Sequence, residues 1–110
     1  MSWKLVLLLT LSSLLATSGQ VLFKYATNGR PTVLQQLNPA LFAGFVCYGM
    51  GAVVWIYCMA RVPLLKAYPF TALTFLLTIL AGVLVFGEEA TLSYWIGLGF
   101  ILAGLLLVSL

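Results

Sequence analysis

Four long stretches without charged side chains divide the chain, separated by short segments that carry every charge. The stretches cover residues 5–23, 40–60, 67–86 and 92–110. Each has about 20 residues, the length at which a helix crosses the hydrocarbon layer of a membrane. In lipid the backbone must satisfy its own hydrogen bonds, and a β-barrel would show alternating polar and apolar residues instead. The pattern therefore predicts an all-α membrane protein, a bundle of four transmembrane helices.

Turn-forming residues mark the limits of these stretches. Asn28-Gly29 follows the first, and Asn38-Pro39 supplies a capping side chain and an N-terminal proline for the second. The connection at residues 61–66 is short, so the second and third helices should be antiparallel neighbours. We expect a single domain over residues 1–110, with helices at about 3–25, 39–60, 66–86 and 92–110.

A polar stripe runs along the first helix. Ser13, Thr17, Gln20 and Lys24 follow one another at intervals of four, three and four residues, which places them on one helical face. Polar side chains inside a membrane face other helices, water or a ligand rather than lipid. The apolar run continues past the small residues 16–18, so we expect a retained helix rather than a cleaved signal peptide.

The third helix carries a second polar stripe. Thr71, Thr74 and Thr78 recur at helical spacing. A threonine in a membrane helix often bonds to its own backbone, so one hydroxyl alone indicates little. Three hydroxyls on one face predict a polar track comparable to that of the first helix.

The second helix alternates small and aromatic side chains on one face. Gly44, Tyr48, Gly51 and Trp55 are spaced by four, three and four residues. One interpretation is helix packing, in which small residues admit a neighbour and rings fill gaps. The other is an aromatic wall along a substrate path, where the Tyr48 hydroxyl and Trp55 indole offer polar contacts.

Composition and charge limit the possible partners. Of 110 residues, 64% are hydrophobic and 6% are charged, which no soluble domain of this size could bury. The net charge of +3 is a small excess at helix ends, so we expect membrane lipids as partners and no nucleic acid. Cytoplasmic termini are weakly favoured, because they place three cations inside (Lys4, Arg61, Lys66) and two outside (Lys24, Arg30).

The residue inventory argues against catalysis. There is no histidine and no glycine-rich phosphate loop, and Cys47 and Cys58 would lie about 16 Å apart along a helix, too far for a disulfide. We therefore expect no enzymatic activity, no cofactor and no metal. Glu88 and Glu89 are predicted as solvated residues at the start of the fourth helix, with ligand binding as the alternative.

Short motifs along nearly the whole chain resemble the small multidrug resistance branch of the drug/metabolite transporter superfamily. They are residues 19–24, Ala67-Tyr68-Pro69, Phe86-Gly87-Glu88, and residues 95–97 with 103–104. Drug exporters of that branch carry a glutamate in the middle of helix 1, which binds protons and cationic drugs in turn. The corresponding residue here is Ala16, so proton-for-cation exchange through one buried acid is unsupported.

A closer resemblance is to ArnE/ArnF-type subunits and related small EamA-like proteins. It lies in Ser18-Gly19-Gln20, Lys24, Tyr48-Gly49, Trp55 and the Ala67-Tyr68-Pro69 motif. The resemblance implies a flippase subunit that moves an undecaprenyl-phosphate-linked sugar, aminoarabinose in that family, across the bacterial inner membrane.

Such a lipid needs a cation for its phosphate, polar groups for its sugar and an apolar flank for its tail. Lys24 suits the phosphate, although it could instead be a lysine that extends to the membrane surface. Arg30, Arg61 and Lys66 are predicted as head-group anchors. The candidate substrate-binding residues are Ser13, Thr17, Gln20, Lys24, Tyr48, Trp55, Tyr68, Thr71 and Thr74.

Four helices make a thin wall around a cavity, so we expect a homodimer or a heterodimer with a similar four-helix subunit. Two other functions stay open at this point. One is export of cationic compounds, for which Glu88 or Glu89 would have to reach the cavity. The other is a membrane assembly subunit that transports nothing itself.

Overall fold

Every regular element is an α-helix in the computed structural model, which describes residues 2–109. This confirms the all-α prediction; residues 1 and 110, the ends of the expected domain, lie outside the described range. Three segments are long and apolar enough to cross a membrane (Trp3–Thr27, Pro39–Met59 and Leu64–Leu84), and Leu92–Val108 is a shorter apolar helix. The helices are α1 Trp3–Thr27, α2 Val33–Gln36, α3 Pro39–Met59, α4 Leu64–Ala67, α5 Phe70–Leu84 and α6 Leu92–Ser109.

Local side chains end α1 and start α3. Gly29 takes a left-handed φ of 71° after α1, which reverses the chain at no steric cost for glycine. Asn38 caps α3, because its Oδ1 accepts hydrogen bonds from the amides of Ala40 and Leu41 at 3.0 and 3.2 Å. Its Nδ2 donates to Ala26 O at 3.0 Å, which ties the start of α3 to the end of α1.

The helix expected at 66–86 is formed in two pieces. α4 ends at Ala67 and α5 begins at Phe70, with Tyr68 and Pro69 between them. Proline has no amide hydrogen to donate and its ring crowds the preceding turn, so the helical ladder is interrupted here. The break separates the short helix α4 from α5, so that α5 begins with Phe70 directly after the proline.

Glycines allow α1 and α3 to pack closely in antiparallel fashion. A Cβ on Gly19 would lie 2.8 Å from Tyr48 Cβ, and one on Gly51 would lie 3.1 Å from Ser12 O. At Gly44 the missing Cβ makes room for the Phe23 ring, which would otherwise be 2.7 Å away. Close backbone approach at small residues is the usual means by which helices associate in membranes.

Few side chains are buried within one chain, and large apolar side chains face outward. A small core of Leu9, Cys58, Val62 and Ala67 joins α1, α3 and α4. α6 contacts the other helices sparsely, and Leu98 is its one buried residue in the described range. Extensive apolar exposure suits a chain surrounded by lipid or by a second subunit rather than by water.

Candidate functional site

A cavity of about 650 Å³ lies between α1, α3 and α5, with the first turn of α6 contributing at one end. This volume is within the range of small-molecule binding sites. The lining residues recur at helical spacing on each helix, so each of the three presents one face to the cavity. The lining consists of Ser12, Ser13, Ala16, Gln20, Tyr48, Gly51, Ala52, Trp55, Tyr68, Thr71, Thr74, Phe75, Thr78, Ile79 and Tyr94.

Most of the candidate substrate-binding residues meet at this cavity, although they come from helices far apart in the sequence. The lining does not include Thr17 or Lys24. Their role in substrate binding stays a prediction, as it does for the residues that do line the cavity. Those residues are Ser13, Gln20, Tyr48, Trp55, Tyr68, Thr71 and Thr74.

Two buried serines of α1 hold the cavity walls together. Ser12 Oγ donates to Gly51 O of α3 at 2.8 Å, and Ser13 Oγ donates to Phe70 O of α5 at 3.1 Å. The second acceptor lies in the turn after Pro69. Interhelical hydrogen bonds of this kind contribute about 0.6 kcal/mol on average in membranes. Ser13 is therefore a packing residue as well as part of the lining.

Some of the remaining polar side chains are already hydrogen-bonded to backbone carbonyls, and others are not. Thr17 Oγ1 donates to Ser13 O at 2.9 Å, and Thr71 Oγ1 donates to Tyr68 O at 2.6 Å. Within residues 2–109, the side chains of Gln20, Thr74 and Thr78 make no hydrogen bond. These three side chains offer an amide and two hydroxyls to a ligand in the cavity.

Helix packing is observed for the small residues of this face of α3, while an aromatic wall along a substrate path stays a prediction. Gly44 and Gly51 admit α1, as helix packing requires, while Tyr48 and Trp55 line the cavity. Tyr48 also packs against Phe23, with ring centroids 6.0 Å apart. Because 43% of its surface is still exposed, Tyr48 is accessible from the cavity side.

No carboxylate lies in the wall of this cavity. Ala16, which corresponds to the glutamate of the cation exporters that the chain resembles, is a lining residue. The position therefore faces the cavity but carries a methyl group. The wall is composed of hydroxyl, amide, aromatic and apolar groups, which suits a neutral polar ligand better than a lone cation.

Lys24 lies in the last turn of α1 and is exposed. It forms no ion pair with any residue of the described chain. The side chains of Arg30 and Arg61 instead turn back onto the ends of the helices that precede them. Arg30 Nη1 donates to Tyr25 O at 2.8 Å, and Arg61 stacks on the Tyr57 ring at 3.7 Å from its centroid. Lys24 is thus the more available cation near the end of α1.

A smaller cavity of about 300 Å³ adjoins the first one. It is lined by Gly82, Val83, Glu88, Glu89 and Ala90 together with three residues of the larger cavity, namely Thr78, Ile79 and Tyr94. α6 begins only at Leu92, so both glutamates lie outside its first turn. The dipole stabilisation expected for these two side chains does not reach beyond that turn.

Two polar lining residues belong neither to the candidate list nor to the two polar stripes predicted from the sequence. They are Ser12 of α1 and Tyr94 of α6. Ser12 is adjacent in sequence to Ser13, so a wider polar arc on α1 would have included it. Tyr94 gives no sequence signal, since an aromatic residue near a helix start is common at membrane interfaces.

Comparison with known proteins extends over nearly the whole chain. Residues 2–110 match the EamA-like transporter family. A relative from Aeromonas salmonicida (strain A449) is 37% identical over 109 residues, which cover 94% of this chain and 96% of the relative. A relative from Yersinia pestis (strain Pestoides F) is 36% identical over 107 residues, which cover 94% of each chain.

Both relatives are named as a probable 4-amino-4-deoxy-L-arabinose-phosphoundecaprenol flippase subunit ArnE. A third relative with this name, from Aeromonas hydrophila, is 37% identical over 109 residues. No solved structure matches the chain. The recognition made from short motifs is confirmed by these matches.

Proposed function

We propose, from the premise that this chain belongs to the EamA-like transporter family, that it is a subunit of a lipid flippase. Its substrate would be a polyprenyl-phosphate-linked sugar, moved across a bacterial inner membrane. The relatives that cover 94% of the chain are named as flippase subunits for such a lipid. Transport of a lipid across a membrane needs a binding path and no bond-making group.

The observation that carries this proposal is a cavity of about 650 Å³ whose mainly apolar and aromatic wall carries an amide and several hydroxyls but, among the described residues, no carboxylate. A sugar has hydroxyls that need hydrogen-bond partners when it leaves water. Gln20, Thr74 and Thr78 offer such partners, and the rings of Tyr48 and Trp55 offer flat surfaces against which a sugar ring can pack. The polyprenyl tail would remain in the lipid beside the exposed apolar faces.

Lys24 would bind the phosphate at the end of the path. It is exposed in the last turn of α1, seven residues beyond Thr17 and four beyond Gln20. Four residues correspond to one helical turn, so the cation lies about 6 Å along the axis from the amide of Gln20. A phosphate near Lys24 would therefore place the attached sugar within reach of the cavity wall.

A second subunit would complete the transport path. α6 packs sparsely against the other helices, and Cβ atoms added to Gly97, Gly99 or Gly104 would meet no atom within 4 Å. We propose that α6 crosses the membrane as the fourth helix and contacts a similar subunit, in a homodimer or a heterodimer. Both termini would be cytoplasmic, which places Lys24 on the periplasmic side.

Reconstitution into vesicles tests this function. The lipid is supplied in one leaflet, and its movement is followed by reaction of the sugar amine with a reagent that does not cross membranes. We expect Ala52→Phe, which fills the cavity, to slow movement, and Ala43→Phe on the outer face of the same helix to leave it unchanged. Equal rates with and without protein, alone and with a partner subunit, would contradict the proposal.

The reconstitution also separates the alternatives. Activity that requires an added partner supports an obligate heterodimer. A partner that is active by itself would make this chain an assembly subunit. Export of lipophilic cations without lipid movement would favour the cation exporter, for which neither Glu88 nor Glu89 lies in the wall of the larger cavity.

A further inference from the structure

The smaller cavity adjoins the larger one and is therefore close to any ligand bound there. Thr78, Ile79 and Tyr94 belong to the walls of both cavities. The smaller cavity lies where α5 ends, because Gly82 and Val83 contribute to it. A ligand whose sugar occupies the larger cavity could extend a substituent past Thr78 into the smaller one.

The backbone around Glu88 folds back onto the last turn of α5. Gly87 has a left-handed φ of 65°, and the Glu88 amide donates to Gly82 O at 3.1 Å. Glycine at position 87 permits this turn of the backbone, and the absence of a Cβ at Gly82 leaves room for the Glu88 side chain. A Cβ on Gly82 would lie 2.7 Å from Glu88 Oε1, so the carboxylate rests directly on the glycine backbone. The fold thus places this carboxylate against the end of α5, whereas a side chain on a freely extended loop would have no fixed position.

No cation neutralises this carboxylate in the described chain. Glu88 makes no ion pair within residues 2–109. Arg30 donates both of its hydrogen bonds to carbonyl oxygens, those of Tyr25 and Ala26. An anion that borders a cavity and has no internal partner is available to a cationic group of a ligand.

Glu88 and Lys24 lie at the same end of the bundle. Leu9 of α1 packs in one core cluster with Ala67, and Ser13, one turn later, donates to Phe70 O. The contacts advance together along the chain, so α1 and α5 run in the same direction. Lys24 lies in the last turn of α1, and Gly82, which supports Glu88, lies near the end of α5. This end therefore presents Lys24 as a cation without a partner in the described chain, near Arg30, and it presents Glu88 and Glu89 as anions.

We infer that Glu88 receives the ammonium group of an amino sugar whose phosphate is held by Lys24. The inference rests on the proposed function and adds the feature by which the site would recognise its sugar. The lipid in the relatives' name carries one amine and one phosphate, which are opposite charges on one head group. A cation and an anion at one end of the cavity match that pair of charges.

Competition between two synthetic lipids tests this inference. One is polyprenyl phosphate bearing 4-amino-4-deoxy-L-arabinose, and the other is the same lipid with its amine acetylated and therefore neutral. Native mass spectrometry of the protein reads the ratio of the two lipids bound. Because Glu88 is exposed, we expect a modest preference of roughly three- to tenfold for the free amine.

Glu88→Gln should bring the ratio close to one while binding of the acetylated lipid stays unchanged. Gly82→Ala retains the charge but displaces the carboxylate, and we expect it to reduce the preference as well. Gly49→Ala is the matched control, since a Cβ at Gly49 meets no atom within 4 Å. It should retain the wild-type ratio.

Equal binding of both lipids by the wild-type protein would overturn the inference and leave the flippase proposal standing. Binding of neither lipid would remove both. A preference lost in Glu89→Gln but retained in Glu88→Gln would also overturn it, because the ammonium would then be bound by the neighbouring side chain.

Discussion

Gly19 of α1 lies directly against Tyr48 of α3, so that a Cβ at position 19 would be 2.8 Å from the Tyr48 Cβ. The same tyrosine lines the cavity. The contact thus joins the helix interface to the candidate site, because the separation of α1 and α3 at Gly19 determines where the Tyr48 ring lies.

Gly19→Leu should force α1 and α3 apart. Overpacking of a close interface costs about 1–3 kcal/mol, so we expect a comparable loss in the free energy of unfolding. Titration with a denaturing detergent, followed by circular dichroism, measures it. Gly49→Leu, at a site with no atom within 4 Å, is the control and should change stability little. Equal effects of both substitutions would contradict the close packing of Gly19.

Ser12→Ala should weaken the α1–α3 interface by removing the donor to Gly51 O. We expect a loss of roughly 0.5–1.5 kcal/mol in unfolding free energy, since the serine is buried and its bond joins two helices. Ser18→Ala removes a bond to Leu14 O within α1 on an exposed face and should cost less. The same detergent titration compares the two variants. A larger effect at Ser18 would contradict the prediction that Ser12 stabilises the α1–α3 interface.

Replacing Thr74 and Thr78 together by valine should reduce lipid movement without loss of stability. Valine retains the shape of threonine but lacks the hydroxyl, and neither hydroxyl has a partner within residues 2–109. We expect a rate lower by roughly tenfold if each hydroxyl contributes about 0.7 kcal/mol to binding in the path. The vesicle assay measures it. Thr10→Val, at a residue that neither lines the cavity nor belongs to the candidate site, is the control and should keep the wild-type rate.

Lys24→Ala should weaken binding of a polyprenyl phosphate while the protein still folds. An exposed phosphate contact predicts a loss of roughly three- to tenfold, which added salt should diminish. Lys4→Ala removes a cation from the opposite end of α1 and serves as the control. Native mass spectrometry or titration calorimetry in detergent gives the affinities. An unchanged affinity in Lys24→Ala would remove this lysine from the site.

Ala16→Glu should convert part of the site toward cation binding. The side chain faces the cavity, so the substitution places a carboxylate in a wall that has none. We expect measurable binding of a lipophilic cation such as tetraphenylphosphonium, with lipid movement lowered because a buried carboxylate is costly to desolvate and repels the phosphate of the lipid. Equilibrium dialysis of the cation against both proteins tests this. Strong binding of the cation to the wild-type protein would contradict the account of an uncharged cavity.

The polar stripe on α1 shows which part of the candidate site helical periodicity can predict. Relative to Ser13, Thr17 lies about 40° to one side and Ala16 about 60° to the other. The cavity is on the side of Ala16, so Ser12 belongs to its wall and Thr17 does not. The spacing in the sequence indicated a polar arc on α1. The close approach of α3 at Gly19 and Gly51 determined which side of that arc faces the cavity.

The division at Tyr68-Pro69 could be anticipated only in part. A proline in the first turns of a helix is tolerated, and a continuous helix was expected there. In the structure α5 begins at Phe70, and Ser13 of α1 donates to Phe70 O. This hydrogen bond joins residues 57 positions apart in the sequence, so no local sequence pattern predicts it.

The sequence by itself determined that the chain is helical, that it belongs in a membrane, and roughly where its long apolar segments lie. Those properties follow from local chemistry. In lipid the backbone must satisfy its own hydrogen bonds, and a helix needs a minimum length to cross the membrane. Only the tertiary structure decided which polar groups share a cavity, and that Glu88 rests on Gly82 beside it. These relationships depend on how closely helices that are distant in sequence approach one another. The side-chain volumes on both helices at each contact determine that distance.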